Sequence, residues 1–329
     1  MRPILLRIPL PWTDEVITLY GYGAMLCLGC LAAIWVAARR AKRLGQSTEI
    51  VYNAALFSFL GGLIGGRLFY VIQYRDHFQS LWDMAKIWDG GLTFYGGFLL
   101  AVLLVLGYLA AARLPVLYWL DMIAPSVALG LAFGRMGCFL NGCCFGDVCR
   151  IGWGMVWPVG SIPWQHYAEA YQAALPGPAA GGDSGAAIGA LAATWRMPAI
   201  HPTQLYSIIN ALLLFAVLHL GFRWKRRHGQ VLFSFILLYA LSRFLLEYLR
   251  ADEAEAYLLG LPTFLQAVGL EAWVWRLPRL TISQNLAIGM ALVAGAGLVG
   301  LSRSTRRELR ADFVPPAIEP AGRRKEKTS

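Results

Sequence analysis

Seven long apolar stretches constrain the fold of this chain more than any other feature of its sequence. Each approaches the ~20 residues that a helix needs to cross the hydrocarbon core of a bilayer. They lie at residues 17–38, 50–74, 92–112, 118–140, 203–222, 230–249 and 283–301. Hydrophobic residues make up 57% of the chain and charged residues only 15%, which is unusual for a soluble domain. The sequence predicts an all-α, polytopic membrane protein with about seven transmembrane helices.

The basic residues indicate how these helices are oriented. More than half of the 29 lysine and arginine residues follow the first, third, fifth and seventh stretches, which all end on one side of the membrane if the helices alternate. Because basic loops stay in the cytoplasm, the C-terminus is predicted to be cytoplasmic and the N-terminus to face outward, into the periplasm or its equivalent. The net charge of +10 is therefore attributed to membrane orientation, and no nucleic-acid partner is expected.

The apolar stretches divide the chain into membrane and outward segments. They are spans one to four with an outward N-terminus at 1–141, an outward (periplasmic) loop region at 142–202, spans five and six at 203–250, an outward (periplasmic) head segment at 251–282, span seven at 283–301 and a basic cytoplasmic tail at 302–329. The Ala, Gly and Pro-rich run at 174–187 predicts a flexible loop, and Trp273 and Trp275 suit the membrane interface. Prolines and acids interrupt the apolar core that a cleavable signal peptide needs, so we expect the N-terminus to be retained.

The run GGLIGG at 61–66, inside the second stretch, contains two overlapping Gly-xxx-Gly pairs. Glycines at this spacing let the backbone of another helix approach closely, so the motif predicts helix packing. The run also resembles part of a phosphate-binding loop, but it lacks the Gly-Lys-Ser/Thr ending and the strand-to-helix context of such loops. Packing is the interpretation that we adopt.

Ionisable residues occur inside the predicted spans, where they are costly and usually functional. They are Arg67 in the second span, Asp121 and Arg135 in the fourth, Arg243 and Glu247 in the sixth, and Arg250 at the edge of the sixth. By the alternation of the helices, all four arginines fall toward the outward ends of their spans. The spacing of Arg243 and Glu247 places them on one helical face, where they are expected to pair.

Several guanidinium groups around one cavity repel each other unless an anion neutralises them. Phosphate matches their planar fork of donors, so the sequence favours a site for a phospholipid headgroup. An alternative stays open, in which each arginine snorkels to the membrane surface or pairs structurally with Asp121 or Glu247.

Together with these charges, several motifs make the chain resemble the prolipoprotein diacylglyceryl transferases, bacterial inner-membrane enzymes with seven transmembrane helices. The matching motifs are LYGYGAML (19–26), GGRLFYV (65–71), WDGGLTFYGG (88–97), DMIAPSVALGLAFGRMG (121–137), HPTQLY (201–206), RFLLEYLR (243–250) and TISQNLAI (281–288). Most of these motifs are weak signals separately, but their order and spacing across five spans are specific.

The resemblance implies a reaction, a location and a set of partners. The diacylglyceryl group of phosphatidylglycerol moves to the cysteine thiol of a lipoprotein precursor's signal peptide, and glycerol phosphate leaves. This is the first step of lipoprotein maturation. The chemistry needs a groove open to lipid, cationic groups on the phosphate and a route to the thiolate. The implied location is the bacterial inner membrane, and no cofactor or metal is expected.

The resemblance also implies roles for individual residues. Arg135 and Arg243 match family arginines and are expected to bind the phosphate as negative charge develops on the leaving group. The expected substrate-binding residues are Tyr20, Arg67, Asn141, Gly146, His201, Gln204, Tyr239, Glu247 and Arg250. For Tyr20 and Tyr239, an aromatic anchor at the membrane interface is an open alternative.

The chain departs from the family near the expected chemistry. Tyr95 stands where the family usually has a histidine that is a proposed general base, and a phenol with a pKa near ~10 is a poor base at neutral pH. Tyr95 is retained as the catalytic candidate, although guanidinium groups can also favour a thiolate without a dedicated base. His201 is a second candidate, for which a structural hydrogen bond is the favoured interpretation. Ser207 replaces the usual glutamate after HPTQLY.

The family signature reads RMGCFLNGCCFG (135–146) in this chain, and cysteines replace two of its polar residues, since the family commonly has Asn and Glu at the positions of Cys138 and Cys143. With Cys144 and Cys149 they form a C-x4-CC-x4-C pattern. A disulfide framework is favoured if the compartment is oxidising. Free thiols and a metal site are the alternatives, and the spacing differs from the CxxC pattern common in zinc sites. Cys27 and Cys30 are expected to pack inside the first span.

Two other function classes remain. The same arginines would suit a protein that binds or transports an anionic phospholipid without chemistry, although the inverted repeats and broken helices of many transporters are not visible. A divergent paralogue with another acceptor also fits the substitutions. A purely structural scaffold is disfavoured by the density of charge inside the spans.

Overall fold

The computed structural model describes residues 4–9, 16–75, 78, 80–86, 90–173, 195–251, 255–256 and 280–305. The predicted flexible run at 174–187, the two interfacial tryptophans Trp273 and Trp275, most of the segment 251–282 and the tail from residue 306 lie outside the described residues. The chain divides into two compact units, the first formed by Met1–Cys30, Val127–Leu220 and Phe233–Val299, and the second by Leu31–Ser126, Gly221–Leu232 and Gly300–Ser329.

Seven of the described helices are long and apolar enough to cross a membrane, which confirms the predicted fold class. They are α1 (Gly21–Arg43), α2 (Thr48–Gln73), α4 (Phe94–Ala111), α5 (Val116–Asn141), α7 (Thr203–Gly221), α8 (Gln230–Glu247) and α9 (Ile282–Arg303). Two shorter helices, α3 (Leu81–Ala85) and α6 (Ile162–Ala173), lie between them. A 3-10 turn, Phe222–Trp224, follows α7.

The first helix begins and ends later than the apolar stretch 17–38. Residues Val16–Tyr20 form strand β2, which pairs antiparallel with β1 (Ile4–Pro9). The sequence of β2, VITLY, is rich in β-branched and aromatic residues, which favour strands. At its other end the helix continues through Arg40, Lys42 and Arg43, because basic side chains are stabilised by the negative end of the helix dipole. A second short hairpin pairs β3 (Glu255–Ala256) with β4 (Leu280–Thr281).

In the second unit, α2 and α4 pack with their backbones in contact at glycines. A Cβ atom built on Gly61 would lie 2.6 Å from the Cα of Ala101, and one built on Gly97 would lie 2.7 Å from the carbonyl oxygen of Gly62. A Cβ atom on Gly65 would likewise meet the carbonyl group of Gly96. The predicted packing role of GGLIGG is therefore confirmed.

We expect Gly65→Ala to lower the free energy of unfolding by about 1–3 kcal/mol, because the new methyl group meets backbone that has no room to move. Gly62→Ala is the matched control, since a Cβ atom there meets nothing within 4 Å. The control should be neutral or slightly stabilising, because alanine favours a helix over glycine. Thermal unfolding of the two purified variants in detergent measures both effects, and equal melting temperatures would contradict the packing argument.

Asp121 is a buried anchor of the second unit. Its carboxylate pairs with the ammonium group of Lys225 at 3.2 Å and accepts hydrogen bonds from the backbone N–H groups of Gly229 and Leu232, both at 2.8 Å. The latter two contacts lie at the start of α8, where a helix has free N–H groups and favours negative charge. Asp121 was one of the two carboxylates considered as structural partners of the arginines inside the spans. It pairs with Lys225 instead.

The first unit has its own apolar core in the region 142–202, which the sequence analysis predicted to face outward. The buried residues of this core are Phe145, Trp157, Trp164, Ala168, Met197 and Ile200. Helix α6 contributes Trp164 and Ala168, so part of the region 142–202 is folded rather than a loop. Isolated β-bridges join Val148 and Met155 to Ile200. This core supports the chain that follows α5, where the signature motif ends.

Candidate active site

A cavity in the first unit is lined by two arginines that the sequence singled out. Arg135 on α5 and Arg243 on α8 both face it. Among the described residues, nine from α5, α7 and α8 line the cavity: Leu131, Arg135, Ser207, Asn210, Ala211, Tyr239, Ser242, Arg243 and Leu246. The hypothesis that arginines of separate helices meet in one cavity is confirmed for these two residues. Tyr239, one helical turn before Arg243, is present there as well.

One buried carboxylate holds two of the predicted arginines. Glu247 Oε2 pairs with the guanidinium group of Arg243, as the i,i+4 spacing predicted, and lies 3.5 Å from Nη1 of Arg250. The side chain of Glu247 has no exposed surface, whereas that of Arg243 keeps 14% of its surface. Arg243 and Arg250 are therefore anchored through a carboxylate that they share, and Arg243 still reaches the cavity.

Polar residues that the sequence analysis did not identify brace the same helices. Asn210 Nδ2 of α7 donates to Ser242 Oγ of α8 at 3.0 Å, and Ser242 Oγ donates to the carbonyl oxygen of Tyr239 at 3.0 Å. The Nη2 of Arg243 donates to Ser283 Oγ of α9 at 2.7 Å. Asparagine and serine are common on helices in many roles, so no local pattern marks these bonds. Only the packing of three helices brings their partners together.

The tyrosines near the start of α1 divide into an exposed one and one beside the signature motif. Tyr20, at the end of β2, is 58% exposed and does not line the cavity. Tyr22 approaches α5 closely, since a Cβ atom built on Gly137 would lie 3.0 Å from its ring, and it interacts electrostatically with Arg135. The motif LYGYGAML contains both residues, but its spacing did not distinguish them. Substrate binding by Tyr20 stays a prediction.

The HPTQLY motif holds the chain that follows α5. Thr203 Oγ1 donates to the carbonyl oxygen of Cys144 at 2.7 Å, and Gln204 Nε2 donates to that of Cys143 at 2.9 Å. Both side chains are almost fully buried. Asn141, the last residue of α5, hydrogen bonds through its side chain with the Cys143 thiol. Gln204 and Asn141 thus fix the loop at the end of the signature motif.

Gly146 lies where three segments of chain cross. Its N–H group donates to the carbonyl oxygen of His201 at 3.2 Å, and it forms a β-bridge with Arg250. A Cβ atom on Gly146 would lie 2.5 Å from the carbonyl oxygen of His201 and 2.7 Å from that of Leu249. The glycine is required by this close approach, which places the loop beside Arg250.

We expect Gly146→Ala to lower the free energy of unfolding by about 1–3 kcal/mol, because the methyl group would press on two backbone carbonyl groups. Gly152→Ala, in the same region 142–202, is the control, since a Cβ atom there meets nothing within 4 Å. Melting temperatures in detergent compare the two variants. A Gly146→Ala protein as stable as the control would show that the crossing can relax.

His201 makes structural contacts. Its Nδ1 lies 3.3 Å from the hydroxyl oxygen of Tyr206, which in turn accepts a hydrogen bond from Trp153 Nε1 at 2.7 Å. Its backbone N–H group donates to the carbonyl oxygen of Asp147 at 2.8 Å. This geometry supports the favoured interpretation of a structural hydrogen bond at His201. Its role at the substrate stays a prediction.

The cysteines of the signature gather at one point. The sulfur atoms of Cys138, Cys143 and Cys144 all lie within 4.8 Å of one another, and all six cysteines of the chain are free thiols. The Cys149 thiol instead donates to the carbonyl oxygen of Ile151 at 3.4 Å. Hydrogen bonds from Cys138 and Cys143 are the main cause that lowers the pKa of Cys144, and the charges of Arg135 and Arg250 lower it further.

Arg67 and Tyr95 belong to the second unit, whereas the lining residues of the cavity belong to the first. The guanidinium group of Arg67 donates to four backbone carbonyl groups: those of Asp83 and Met84, at 2.7 and 2.8 Å, and those of Gly90 and Gly91. These bonds tie the segment around α3 to α2. Tyr95, in the first turn of α4, is 56% exposed. Substrate contacts of both residues stay predictions.

The arrangement in the first unit is suited to bind an anion. Three guanidinium groups, those of Arg135, Arg243 and Arg250, are balanced among these predicted site residues by the single carboxylate of Glu247. The excess positive charge, the fork geometry of arginine and the phenol of Tyr239 match a phosphate ester.

Comparisons with known proteins place the chain among membrane lipid transferases. The profile of the prolipoprotein diacylglyceryl transferase family matches residues 11–300. A phosphatidylglycerol–prolipoprotein diacylglyceryl transferase of Clostridium tetani is 30% identical over 252 residues, which cover 77% of this chain and 86% of the relative. Proteins of the same name from Vibrio vulnificus and Geobacter sulfurreducens are 32% and 31% identical, over 82% and 73% of this chain and 94% and 81% of their own lengths.

Proposed function

Because the chain belongs to the prolipoprotein diacylglyceryl transferase family, we propose that it catalyses the transfer for which its relatives are named. The diacylglyceryl group of phosphatidylglycerol moves to the signal-peptide cysteine of a lipoprotein precursor, and glycerol phosphate is released. The observation that supports this most directly is that Arg135 and Arg243 line one cavity. Two guanidinium groups there are suited to hold the phosphate whose bond breaks.

The proposed reaction is a displacement at carbon. The thiolate sulfur of the acceptor attacks the terminal glycerol carbon of the diacylglyceryl group, a C–S bond forms, and the C–O bond to the phosphate breaks. The electron pair of that bond goes to the phosphate oxygen. Negative charge therefore grows on the phosphate, where Arg135 and Arg243 stabilise it more strongly in the transition state than in the ground state.

The other predicted residues have supporting roles in this proposal. Tyr239 donates a hydrogen bond to a lipid oxygen from the cavity wall. Glu247 orients Arg243 and Arg250. Asn141, Gly146, His201 and Gln204 hold the loop that follows α5, as their hydrogen bonds and close contacts suggest. Arg67 holds the backbone of Asp83, Met84, Gly90 and Gly91 beside α2.

We propose that Tyr95, in its phenolate form, accepts the proton of the acceptor thiol and becomes the neutral phenol. A Tyr95→Phe variant tests this role, since it removes only the hydroxyl group. We expect transfer to fall by about 100-fold, which is a typical contribution of a general base. Tyr52→Phe, another exposed tyrosine of the second unit, is the control. Undiminished transfer by Tyr95→Phe at neutral pH would remove the phenol from the mechanism.

We also propose that the protein lies in the bacterial inner membrane, with its N-terminus in the periplasm and its C-terminus in the cytoplasm. The basic residues that follow α1 and α7 support this orientation. A reporter that is active only in the cytoplasm, fused after residue 329, should be active, and the same reporter fused before residue 1 should be inactive. The opposite pattern would reverse the assignment.

The direct test of the function uses the purified full chain with phosphatidylglycerol and a peptide that carries a lipoprotein signal cysteine. We expect the mass of the peptide to increase by one diacylglyceryl group, with release of glycerol phosphate. A peptide with serine in place of the cysteine is the control. Binding of labelled phospholipid without any change in peptide mass would favour the carrier, and activity only on other thiols would favour a paralogous transferase.

A further inference from the structure

We propose that Cys138, Cys143 and Cys144 form a binding site for a soft, thiophilic metal ion, Cu(I) or Zn(II). The site lies where α5 ends and is separate from the lining of the cavity. It goes beyond the proposed lipid transfer, which needs no metal.

The positions of the three sulfur atoms match a metal–thiolate centre. All three lie within 4.8 Å of one another. A metal–sulfur bond of about 2.3 Å separates the sulfur atoms of a trigonal or tetrahedral centre by about 4 Å. The upper limit of 4.8 Å on the observed separations exceeds this spacing by less than about 1 Å.

The backbone is already shaped for this convergence. The chain leaves α5 through Gly142, which has a φ of 86°, and Cys144 itself has a φ of 60°. A non-glycine residue in the left-handed region costs energy, and such residues are concentrated at functional sites. Thr203 and Gln204 hold the carbonyl groups of Cys144 and Cys143. The backbone that carries the two adjacent thiols is thus held in place after the helix that carries Cys138.

The surrounding charge also suits a metal held by three thiolates. A Cu(I) ion with three thiolates carries a net charge of −2, and a Zn(II) ion with three thiolates and a water molecule carries a net charge of −1. Arg135 and Arg250 both act electrostatically on Cys144. The positive charge of Arg250, which does not line the cavity, offsets part of the negative charge that a metal–thiolate centre places in this partly buried position.

The choice of metal follows from the ligands. Thiolate groups select soft ions such as Cu(I) and Zn(II) over Mg²⁺ or Ca²⁺, which prefer oxygen. Three sulfur ligands complete a trigonal Cu(I) site, whereas Zn(II) needs a fourth ligand such as water. Cys149 is not part of the group, because its sulfur atom is not among the three that lie within 4.8 Å of one another; its thiol donates to the carbonyl oxygen of Ile151.

Metal titration of the full-length protein tests the site. The purified chain, reduced and stripped of metal in detergent, is titrated with Cu(I) in the presence of a competing chelator, and separately with Zn(II). We expect one ion to bind per chain, and single changes Cys138→Ser, Cys143→Ser and Cys144→Ser each to weaken binding by at least ~100-fold, since loss of even an outer-shell partner costs 10–100-fold. Cys149→Ser and Cys27→Ser are the matched controls and should bind as the wild type does.

Two further measurements keep the test independent of the variants' folding. X-ray absorption of the metal-loaded wild type should show three sulfur neighbours for Cu(I), or three sulfurs and one oxygen for Zn(II). Mass analysis of protein whose thiols are blocked directly in membranes should show all three cysteines reduced or metal-protected. Three results would each overturn the proposal. They are metal binding no stronger than that of a variant with all three cysteines changed to serine, fewer than three sulfur neighbours of the metal, and a disulfide between two of the three cysteines.

Discussion

Replacing Arg135 by alanine is expected to lower the rate of lipid transfer by at least ~100-fold while the protein still folds and inserts. The guanidinium group lines the cavity with Arg243 and, in the proposed reaction, meets the charge that develops on the phosphate. Loss of one preorganised donor to a developing anion typically costs 10²–10³ in rate. The measurement is the initial rate of diacylglyceryl transfer to a signal-cysteine peptide by purified protein.

Two companion variants make this result specific. Arg135→Lys keeps the charge but loses the planar fork, so it should recover only part of the activity. Arg150→Ala removes an exposed arginine of the same unit and should transfer at the wild-type rate. Full activity of Arg135→Ala would exclude this guanidinium group from the phosphate site.

Replacing Glu247 by alanine is expected to have the largest effect on stability, about 3–5 kcal/mol in the free energy of unfolding. Its carboxylate has no exposed surface and holds both Arg243 and Arg250. Removing one partner of a buried ion pair leaves the other charges uncompensated. Thermal unfolding in detergent, followed by the loss of helical signal, measures the change.

Glu169→Ala is the control for this prediction, because Glu169 is exposed on α6. Glu247→Gln separates the positioning role of this side chain from its charge. It keeps the shape and one acceptor, so the protein should be more stable than Glu247→Ala. Its affinity for phosphatidylglycerol should still differ from that of the wild type. A Glu247→Ala protein with an unchanged melting temperature would mean that the two arginines have adequate alternative partners.

The membrane helices were predictable from hydropathy, and the confirmed spans agree with the predictions to within a few residues at most ends. Helix α1 was the exception at both ends: the apolar run 17–38 begins with residues that pair as strand β2, and the helix continues beyond the run to Arg43. Hydropathy indicates whether a residue is apolar enough for lipid. It does not indicate which backbone groups form hydrogen bonds with the N–H and C=O groups of that residue. The hairpin is decided by that pairing.

The arginines were predictable for a different reason. A charged side chain inside an apolar span is so costly that the sequence alone marks it as a candidate functional residue, before its partners are known. The family of the chain was predictable from the order of its motifs, and the match to the family profile confirms this prediction. The partners of the arginines were only partly predictable. The pair of Arg243 and Glu247 follows from helical spacing. The four carbonyl groups that accept hydrogen bonds from Arg67 lie outside the membrane-spanning helices, where no sequence periodicity indicates them.

The sequence by itself determined that the chain crosses a membrane, which side chains are too polar to be there by chance, and to which family the chain belongs. These properties depend on composition and on spacing along one helix, which are local. The tertiary structure alone decided that Arg135 and Arg243 share a cavity, that Gly146 lies at a crossing of three segments, and that three cysteines converge. Each of these depends on distances between residues far apart in the chain, and such distances are set only when the helices pack.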